Sequence, residues 1–324
     1  MKKWLTPLVL SLTLVLSACG SKGDSSTNNA SNTGSQPTAS AAPSASPAAS
    51  PAASGTFTYE SETGPVEVPL NAQRIVALTN APNVLSLGLP IVGVDQWSNK
   101  SSMFTDKLSG VAEVTDENLE KIIELDPDLI IAGTHMKNLD KMREIAPTVV
   151  YTWGKLDYIE QQLAIGKLLN KEKEAQAWAD DFKKRAEEAG KQVKAKIGEN
   201  ATVSVIEFDA KSFYVFGNNW ARGTEVLYQA MGLQMTENAK KDALGPGMFT
   251  ISSESLPEYA GDYIVLSRPK GLDNPVFQTE TWKGIPAVKS GRVITIDPAS
   301  YSYSDPITLD HMLKLYTDEF LALP

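Results

Sequence analysis

The stretch EKEAQAWADDFKKRAEEAGKQVKAKI, Glu172 to Ile197, holds no proline and no glycine before Gly190. Its apolar positions, Ala175, Trp178, Phe182, Ala186, Ala189, Val193 and Ile197, recur at spacings of three and four. That period puts them on one face of a single helix. About 25 residues at 1.5 Å each reach roughly 37 Å, enough to cross between two lobes. On either side lie short apolar runs ending in turns: Arg74 to Leu78, Ile91 to Val94, Asp128 to Ala132 and Val149 to Thr152 before it. Thr202 to Phe208, Tyr263 to Leu266 and Val293 to Ile296 follow it. Such runs, alternating with helical patterns, are the rhythm of α/β units with mostly parallel strands. The expected fold class is therefore α/β, two Rossmann-like lobes joined by one long α-helix. Taken alone, the stretch also fits an ordinary surface helix within one domain.

An internal repeat supports two lobes. Asn118-Leu119-Glu120-Lys121-Ile122 leads into Pro127-Asp128-Leu129-Ile130-Ile131, and Ser253-Glu254-Ser255-Leu256 leads through Tyr259 into Gly261-Asp262-Tyr263-Ile264-Val265. In both, a glutamate near a helix start stands eight residues ahead of the aspartate that opens a strand. Glu120 and Glu254 are thus expected at equivalent places on two similar lobes. Each also suits a first helical turn for dipole reasons alone.

The chain begins Met1-Lys2-Lys3, runs apolar from Leu8 to Leu16 and ends that run in Leu16-Ser17-Ala18-Cys19. This reads as a secretory signal, too short to span a membrane as a mature helix. Small residues before a cysteine resemble the lipobox of bacterial lipoprotein signals, so Cys19 is the expected lipidation site; two acyl chains there give stable anchoring. Cys19 is the single cysteine, which leaves no disulfide, redox pair or thiolate cluster. Residues 20–55 are Ser, Ala, Pro, Thr and Asn with almost nothing apolar to bury, the composition of a tether. The expected organisation is a signal peptide at 1–18, a lipidated cysteine and disordered tether at 19–55, and an N-terminal lobe at 56–155. A helical region with the connecting helix at 156–199 and a C-terminal lobe at 200–324 complete it. A net charge of -9 argues against a nucleic-acid partner.

The folded part resembles the iron-siderophore solute-binding proteins of bacterial importers, and within them the ferric-hydroxamate-binding lipoproteins. The resemblance rests on Arg74-Ile75-Val76-Ala77-Leu78 with Leu87-Gly88, on the Glu120 and Pro127-Asp128-Leu129-Ile130 segment, on Ala146-Pro147-Thr148-Val149, and on Tyr259-Ala260-Gly261-Asp262-Tyr263-Ile264. More specific is Tyr214-Val215-Phe216-Gly217-Asn218-Asn219-Trp220-Ala221-Arg222-Gly223, continuing to Ala230. The resemblance implies two lobes on one backbone helix with the ligand in the cleft, and a glutamate on each lobe, here Glu120 and Glu254, meeting arginines of an ABC permease. It implies Tyr214, Trp220 and Arg222 as ligand-site residues. Near the C-terminus this chain departs from the pattern: Tyr301-Ser302-Tyr303-Ser304-Asp305-Pro306 has Ser302 where relatives can place a tryptophan. Tyr301 or Tyr303 is then left to supply that part of the wall.

The chemistry of the residues can be weighed independently. A trishydroxamate carries three negative groups that cancel Fe³⁺, whereas a triscatecholate complex keeps a large negative charge and requires several cations in a cleft. Strand-end loops, where ligands bind in such sheets, contain Tyr214, Phe216, Trp220 and Arg222, then Arg268 and Lys270, then Tyr301 and Tyr303. On the first lobe Trp97, His135 and Trp153 follow expected strands. Arg222 is suited to donate a forked hydrogen bond to hydroxamate oxygens, and Trp220 and Tyr214 to pack on the ligand skeleton. Read without the resemblance, Phe213 to Phe216 fits strand core, Arg222 fits a helix anchor, and Arg268 and Lys270 fit a solvated loop. His135 and His311 are the two histidines and lie far apart, so iron is expected to be held by the chelator with no protein ligand and no cofactor.

The expected function is an extracytoplasmic, membrane-anchored, monomeric binding lipoprotein that delivers a ferric hydroxamate to an ABC permease. The alternatives within this architecture are haem, a corrinoid, or a carboxylate or catecholate siderophore. Outside it stand an extracytoplasmic hydrolase and a scaffold. No Gly-x-Ser-x-Gly elbow, His-Glu-x-x-His helix or P-loop is present, so no enzymatic activity is expected.

Overall fold

The computed structural model describes residues 55–209 and 211–324; the expected signal segment, Cys19 and the tether up to residue 54 lie outside the described residues. An antiparallel hairpin, β1 (Thr56–Ser61) and β2 (Gly64–Pro69), comes first. The first sheet comprises β3 (Ile75–Ala77), β4 (Ile91–Val94), β5 (Ala112–Glu113), β6 (Leu129–Gly133) and β7 (Thr148–Tyr151). All its pairings are parallel, in the order β5-β4-β3-β6-β7. The second sheet comprises β8 (Thr202–Phe208), β9 (Phe213–Phe216), β10 (Gln234–Met235), β11 (Met248–Ile251), β12 (Tyr263–Ser267) and β13 (Val293–Ile296). Its order is β11-β9-β8-β12-β13 with β10 on β8; β9 is antiparallel to both neighbours and the other pairings are parallel.

Both sheets are buried on two faces, which is why their strands read as continuous apolar runs rather than alternating ones. In the first lobe Ile75, Ala77, Leu129 and Ile131 enter one core cluster, while Val76, Leu78, Ile130 and Ala132 enter the opposite one. In the second, Val203, Val205 and Val265 face one cluster and Ile206, Phe208, Ile264 and Leu266 the other. The sequence repeat has a shared structural basis. Asp128 accepts hydrogen bonds from the backbone N–H of Gln73 (2.6 Å) and Arg74 (2.9 Å), just ahead of β3. Asp262 accepts from the backbone N–H (2.8 Å) and the hydroxyl (2.9 Å) of Thr202, at the start of β8. Each aspartate thus pins the entry of the strand parallel to its own; Glu120 lies in the first turn of the helix Leu119–Glu124, and Glu254 in the turn just before the helix Leu256–Tyr259.

The lobes are joined by the long helix, Glu172–Ile197, with the bounds its periodicity requires. Ala179, Phe182, Ala186, Ala189 and Val193 pack into the second-lobe core. Ala175, at its start, packs against Gly166 of the preceding helix Tyr158–Leu168, whose Ile165 and Leu168 belong to the first-lobe core. Gly190 sits where any Cβ would lie 2.2 Å from the Met231 carbonyl oxygen. Its helix cost of about 1 kcal/mol relative to alanine is what lets the helix approach that backbone. The C-terminal helix Pro306–Ala322 runs alongside the long helix and also spans both lobes: Ile307 packs on the first-lobe core, and Leu309 to Phe320 on the second.

Candidate functional site

In each sheet the chain order reverses beside its first strand, between β3 and β6 and between β8 and β12. Ligands bind outside the carboxyl ends of strands at such switch points. There the structure opens a cleft of about 570 Å³ between the lobes. The first lobe contributes Leu78 to Asn80 after β3, Asp95 and Trp97 after β4, His135 after β6, Thr152 to Gly154 after β7, and Tyr158 and Gln161 from the next helix. The second contributes Asn219 to Arg222 and Glu225, with Ser302 to Asp305 from the segment leading into the C-terminal helix.

Of the residues expected at the ligand, Trp97, His135, Trp153, Trp220, Arg222 and Tyr303 line this cleft. Trp97 and Trp153 stand 77% and 71% exposed, at its mouth. Trp153 meets Trp220 edge to face, ring centroids 4.9 Å apart, so the two lobes touch through tryptophans. Tyr303 packs edge to face on Phe104 at 5.5 Å, and burial pushes its hydroxyl pKa up.

Tyr214 and Tyr301 depart from expectation, since neither lines the cleft. Tyr214 is the cross-strand partner of Glu207, but its hydroxyl donates to Asp209 at 3.0 Å. The Tyr301 ring stacks on His311, with their polar atoms 3.1 Å apart; its carbonyl accepts the Arg222 backbone N–H at 2.9 Å. Tyr301 therefore meets the Arg222 turn through its backbone carbonyl. Arg268 and Lys270 do not line the cleft either, and Arg268 lies over the Phe277 ring at 5.1 Å. Ser302 lines the cleft, with its hydroxyl donating to the Pro298 carbonyl at 2.5 Å.

Arg222 is held in a fixed pose. Its Nε and Nη2 donate to the two carboxylate oxygens of Glu207, both at 2.9 Å, and its guanidinium lies over the Phe216 ring at 4.9 Å. Glu207 also accepts the Ser267 hydroxyl at 2.6 Å. Ala221, Arg222 and Gly223 all have positive φ, of 58°, 54° and 73°. A left-handed non-glycine residue costs roughly 1–2 kcal/mol, so surrounding bonds must hold the turn. Trp220 N–H donates to Thr224 Oγ1 and Ala221 N–H to Glu225 Oε1, both at 3.0 Å. The Tyr316 hydroxyl donates to the Arg222 carbonyl at 2.6 Å. Gly223 cannot carry a side chain, because a Cβ there would lie 2.3 Å from the Tyr316 ring. A π-helical turn, Glu225–Ala230, follows directly, a feature frequent at functional sites.

Four carboxylates also line the cleft: Asp95, Asp157, Glu225 and Asp305. Three are helix N-caps. Asp95 accepts from the Trp97 and Ser98 N–H groups (2.8 and 2.9 Å), Asp157 from Ile159 and Glu160 (both 2.8 Å), and Asp305 from Ile307 and Thr308 (2.9 and 3.2 Å). Their charge is spent on the positive ends of three helices. Glu225 is 2% exposed and ties the Trp220 loop to Ser304, whose hydroxyl donates to its Oε1 at 2.9 Å. Burial raises the pKa values of Asp95 and Glu225, and pushes Asp305 from 3.8 to about 6.

Sequence reasoning missed Glu207, Glu225 and the capping aspartates. A signal existed for Glu207: a carboxylate inside the apolar run Val203–Phe208 requires a buried partner. Glu120 and Glu254 both stand exposed near helix starts, away from the cleft. The Glu254 backbone N–H, followed by the Ser252 and Ser253 side chains, holds its carboxyl below the usual range.

Residues 75–300 match the family described as Periplasmic binding protein. The iron(3+)-hydroxamate-binding protein FhuD of Bacillus subtilis is 36% identical over 271 residues, covering 81% of this chain and 86% of that protein. Among solved structures, FhuD2 of Staphylococcus aureus with bound ferrioxamine B superposes with a TM-score of 0.73 at 37% identity, covering 77% of this chain and 98% of that one. The FhuD protein of S. pseudintermedius gives a TM-score of 0.73 at 34% identity, covering 83% and 99%. The chain belongs to the periplasmic binding protein family, and its likeness is to the iron(3+)-hydroxamate-binding members.

Proposed function

We propose that this protein binds a ferric hydroxamate in the cleft between its lobes and delivers it to an ABC permease while anchored to the outer face of the cell membrane through lipid on Cys19. The observation that carries the ligand reading is that, among the described residues, the cleft offers an anion no free cation. Arg222 is the one Lys or Arg among the described residues lining it, and Glu207 already neutralises it. Aromatic faces supply much of the remaining wall. A chelate whose three hydroxamates cancel Fe³⁺ meets that surface without an unpaired charge, whereas a triscatecholate would bring several negative charges with no cation to receive them. The relatives named for iron(3+)-hydroxamate binding support the same choice.

In this reading Trp220, Tyr303, Trp97 and Trp153 pack on the chelate's carbon skeleton, His135 borders it, and Arg222 donates to hydroxamate oxygens. Tyr214 and Tyr301 act one layer back, Tyr214 beside Glu207 and Tyr301 through the Arg222 backbone. Iron stays within the chelator and the protein supplies no metal ligand. Two helices spanning both lobes limit closure to a modest movement, and Glu120 and Glu254 then meet permease arginines. The functional test is uptake of radio-iron presented as a ferric hydroxamate. Cells lacking the protein should lose uptake and regain it with the parent chain, whereas Cys19→Ala should release the protein from the membrane fraction. Full uptake without the protein would contradict the transport role.

A further inference from the structure

Trp153 stands largely exposed at the cleft mouth, so the backbone beneath its ring decides where the ring lies. That backbone is a four-residue turn, Thr152-Trp153-Gly154-Lys155, closed by the Lys155 N–H donating to the Thr152 carbonyl at 3.2 Å. Gly154 takes its third position at φ 77°, a left-handed conformation that glycine adopts without steric penalty. Both ends of the turn are held by one carboxylate from a distant part of the chain. Glu62 Oε2 accepts the Thr152 hydroxyl at 2.6 Å and pairs with Lys155 Nζ at 3.3 Å. The Glu62 side chain is 15% exposed, so solvent and salt screen these contacts less than on an open surface. Glu62 lies between β1 and β2, in a hairpin that is braced on β7 by other residues. Ser61 Oγ accepts the Val150 N–H at 3.3 Å, and the Tyr59 and Tyr151 hydroxyls meet at 2.9 Å. Those contacts seat the hairpin without Glu62, whose carboxylate is directed at the turn.

We propose that Glu62 is a positioning residue of the binding site: by holding both ends of the Thr152–Lys155 turn it fixes where Trp153 meets the chelate. This role rests on the reading of the cleft as a hydroxamate site with Trp153 in its wall. The bond from the Thr152 hydroxyl is short and charge-assisted, the stronger kind. Trp153 meets Trp220 of the second lobe edge to face, so the same carboxylate also sets the first-lobe side of that contact. A ring fixed before the ligand arrives spares the cost of ordering an exposed aromatic side chain on binding. Without Glu62 the turn keeps its backbone bond but loses both side-chain tethers, and that cost falls on the binding step.

A double-mutant cycle with Trp153 separates positioning from a general loss of structure. Glu62→Ala should weaken the Kd for a ferric trishydroxamate by roughly 3- to 10-fold. In a Trp153→Ala background the same change should leave Kd within about twofold, because the side chain that Glu62 positions is gone. An unchanged Kd for Glu62→Ala alone would overturn the assignment. So would an equal weakening in both backgrounds, since the effect would then not pass through Trp153. Should Glu62→Ala fail to fold, Thr152→Val removes the shorter of the two tethers from the turn's side with a side chain of similar shape, and the same cycle decides by the same two outcomes. If the parent protein itself bound no ferric hydroxamate, the cleft reading would fail and this role with it, an outcome distinct from a parent that binds and a Glu62→Ala variant that binds equally.

Discussion

The ion pair between Arg222 and Glu207 gives the sharpest mutational test of how the cleft is organised. Glu207→Gln removes the charge that holds the guanidinium while keeping the side chain's size. The Arg222 and Glu207 side chains are 18% and 10% exposed, so the pair is mostly but not fully desolvated. Removing one partner of a fully buried pair costs about 3–5 kcal/mol; partial exposure, and the Phe216 ring still beneath the cation, reduce this to roughly 2–4 kcal/mol. For a folded part of this size that lowers the thermal midpoint by roughly 5–12 °C. Binding should change as well, because Arg222 loses its fixed pose and the cleft gains net positive charge. Affinity for a neutral ferric hydroxamate should fall, and affinity for an anionic carboxylate chelate should rise relative to it. Thermal denaturation and a two-chelate titration read both effects. A variant with parental stability and parental selectivity would refute the claim that Glu207 sets both the pose and the charge of the site.

Asp305→Asn should remove a pH dependence. The carboxyl is raised from 3.8 to about 6 in the folded protein, so the folded state binds its proton more tightly than the unfolded chain. The resulting stabilisation is present below pH about 4 and is lost as pH rises through about 6, a swing of roughly 3 kcal/mol at most. The asparagine variant should therefore be more stable than the parent at pH 7 and equal to it at pH 4; parallel stability curves would contradict this. Glu120→Ala combined with Glu254→Ala should abolish cellular uptake of a ferric hydroxamate while leaving Kd within about twofold, because both side chains are exposed and outside the cleft. Lost affinity in the purified double variant would contradict the docking role.

Elements governed by local pattern were legible in the sequence. The seven apolar runs became β3, β4, β6, β7, β8, β12 and β13, and the long helix kept its bounds, because burial on both faces or along one stripe leaves a direct periodic trace. The two-residue strands β5 and β10 leave no such trace, since two residues define no period. The left-handed turn at Ala221-Arg222-Gly223 was illegible for another reason. A single glycine is visible there, but the turn is held by two partners distant in sequence, Tyr301 and Tyr316, together with Glu225 four residues on from Ala221. The same long-range contacts took Tyr301 out of the cleft. Trp97, Trp153 and Trp220 reached it because strand-end position alone sufficed. The capping aspartates were readable as helix starts but not as cleft lining, which depends on where those helices begin in space.

Tryptophan fluorescence offers the most direct test of the central claim that the cleft receives a ferric hydroxamate. Among the described residues Trp97, Trp153 and Trp220 line the cleft, whereas Trp178 and Trp282 pack on the cores away from it. Titrating the purified protein with a ferric trishydroxamate should therefore give saturable, submicromolar quenching, and a ferric triscatecholate should give none at the same concentrations. Quenching by the catecholate with silence for the hydroxamate would contradict the charge argument on which the account stands.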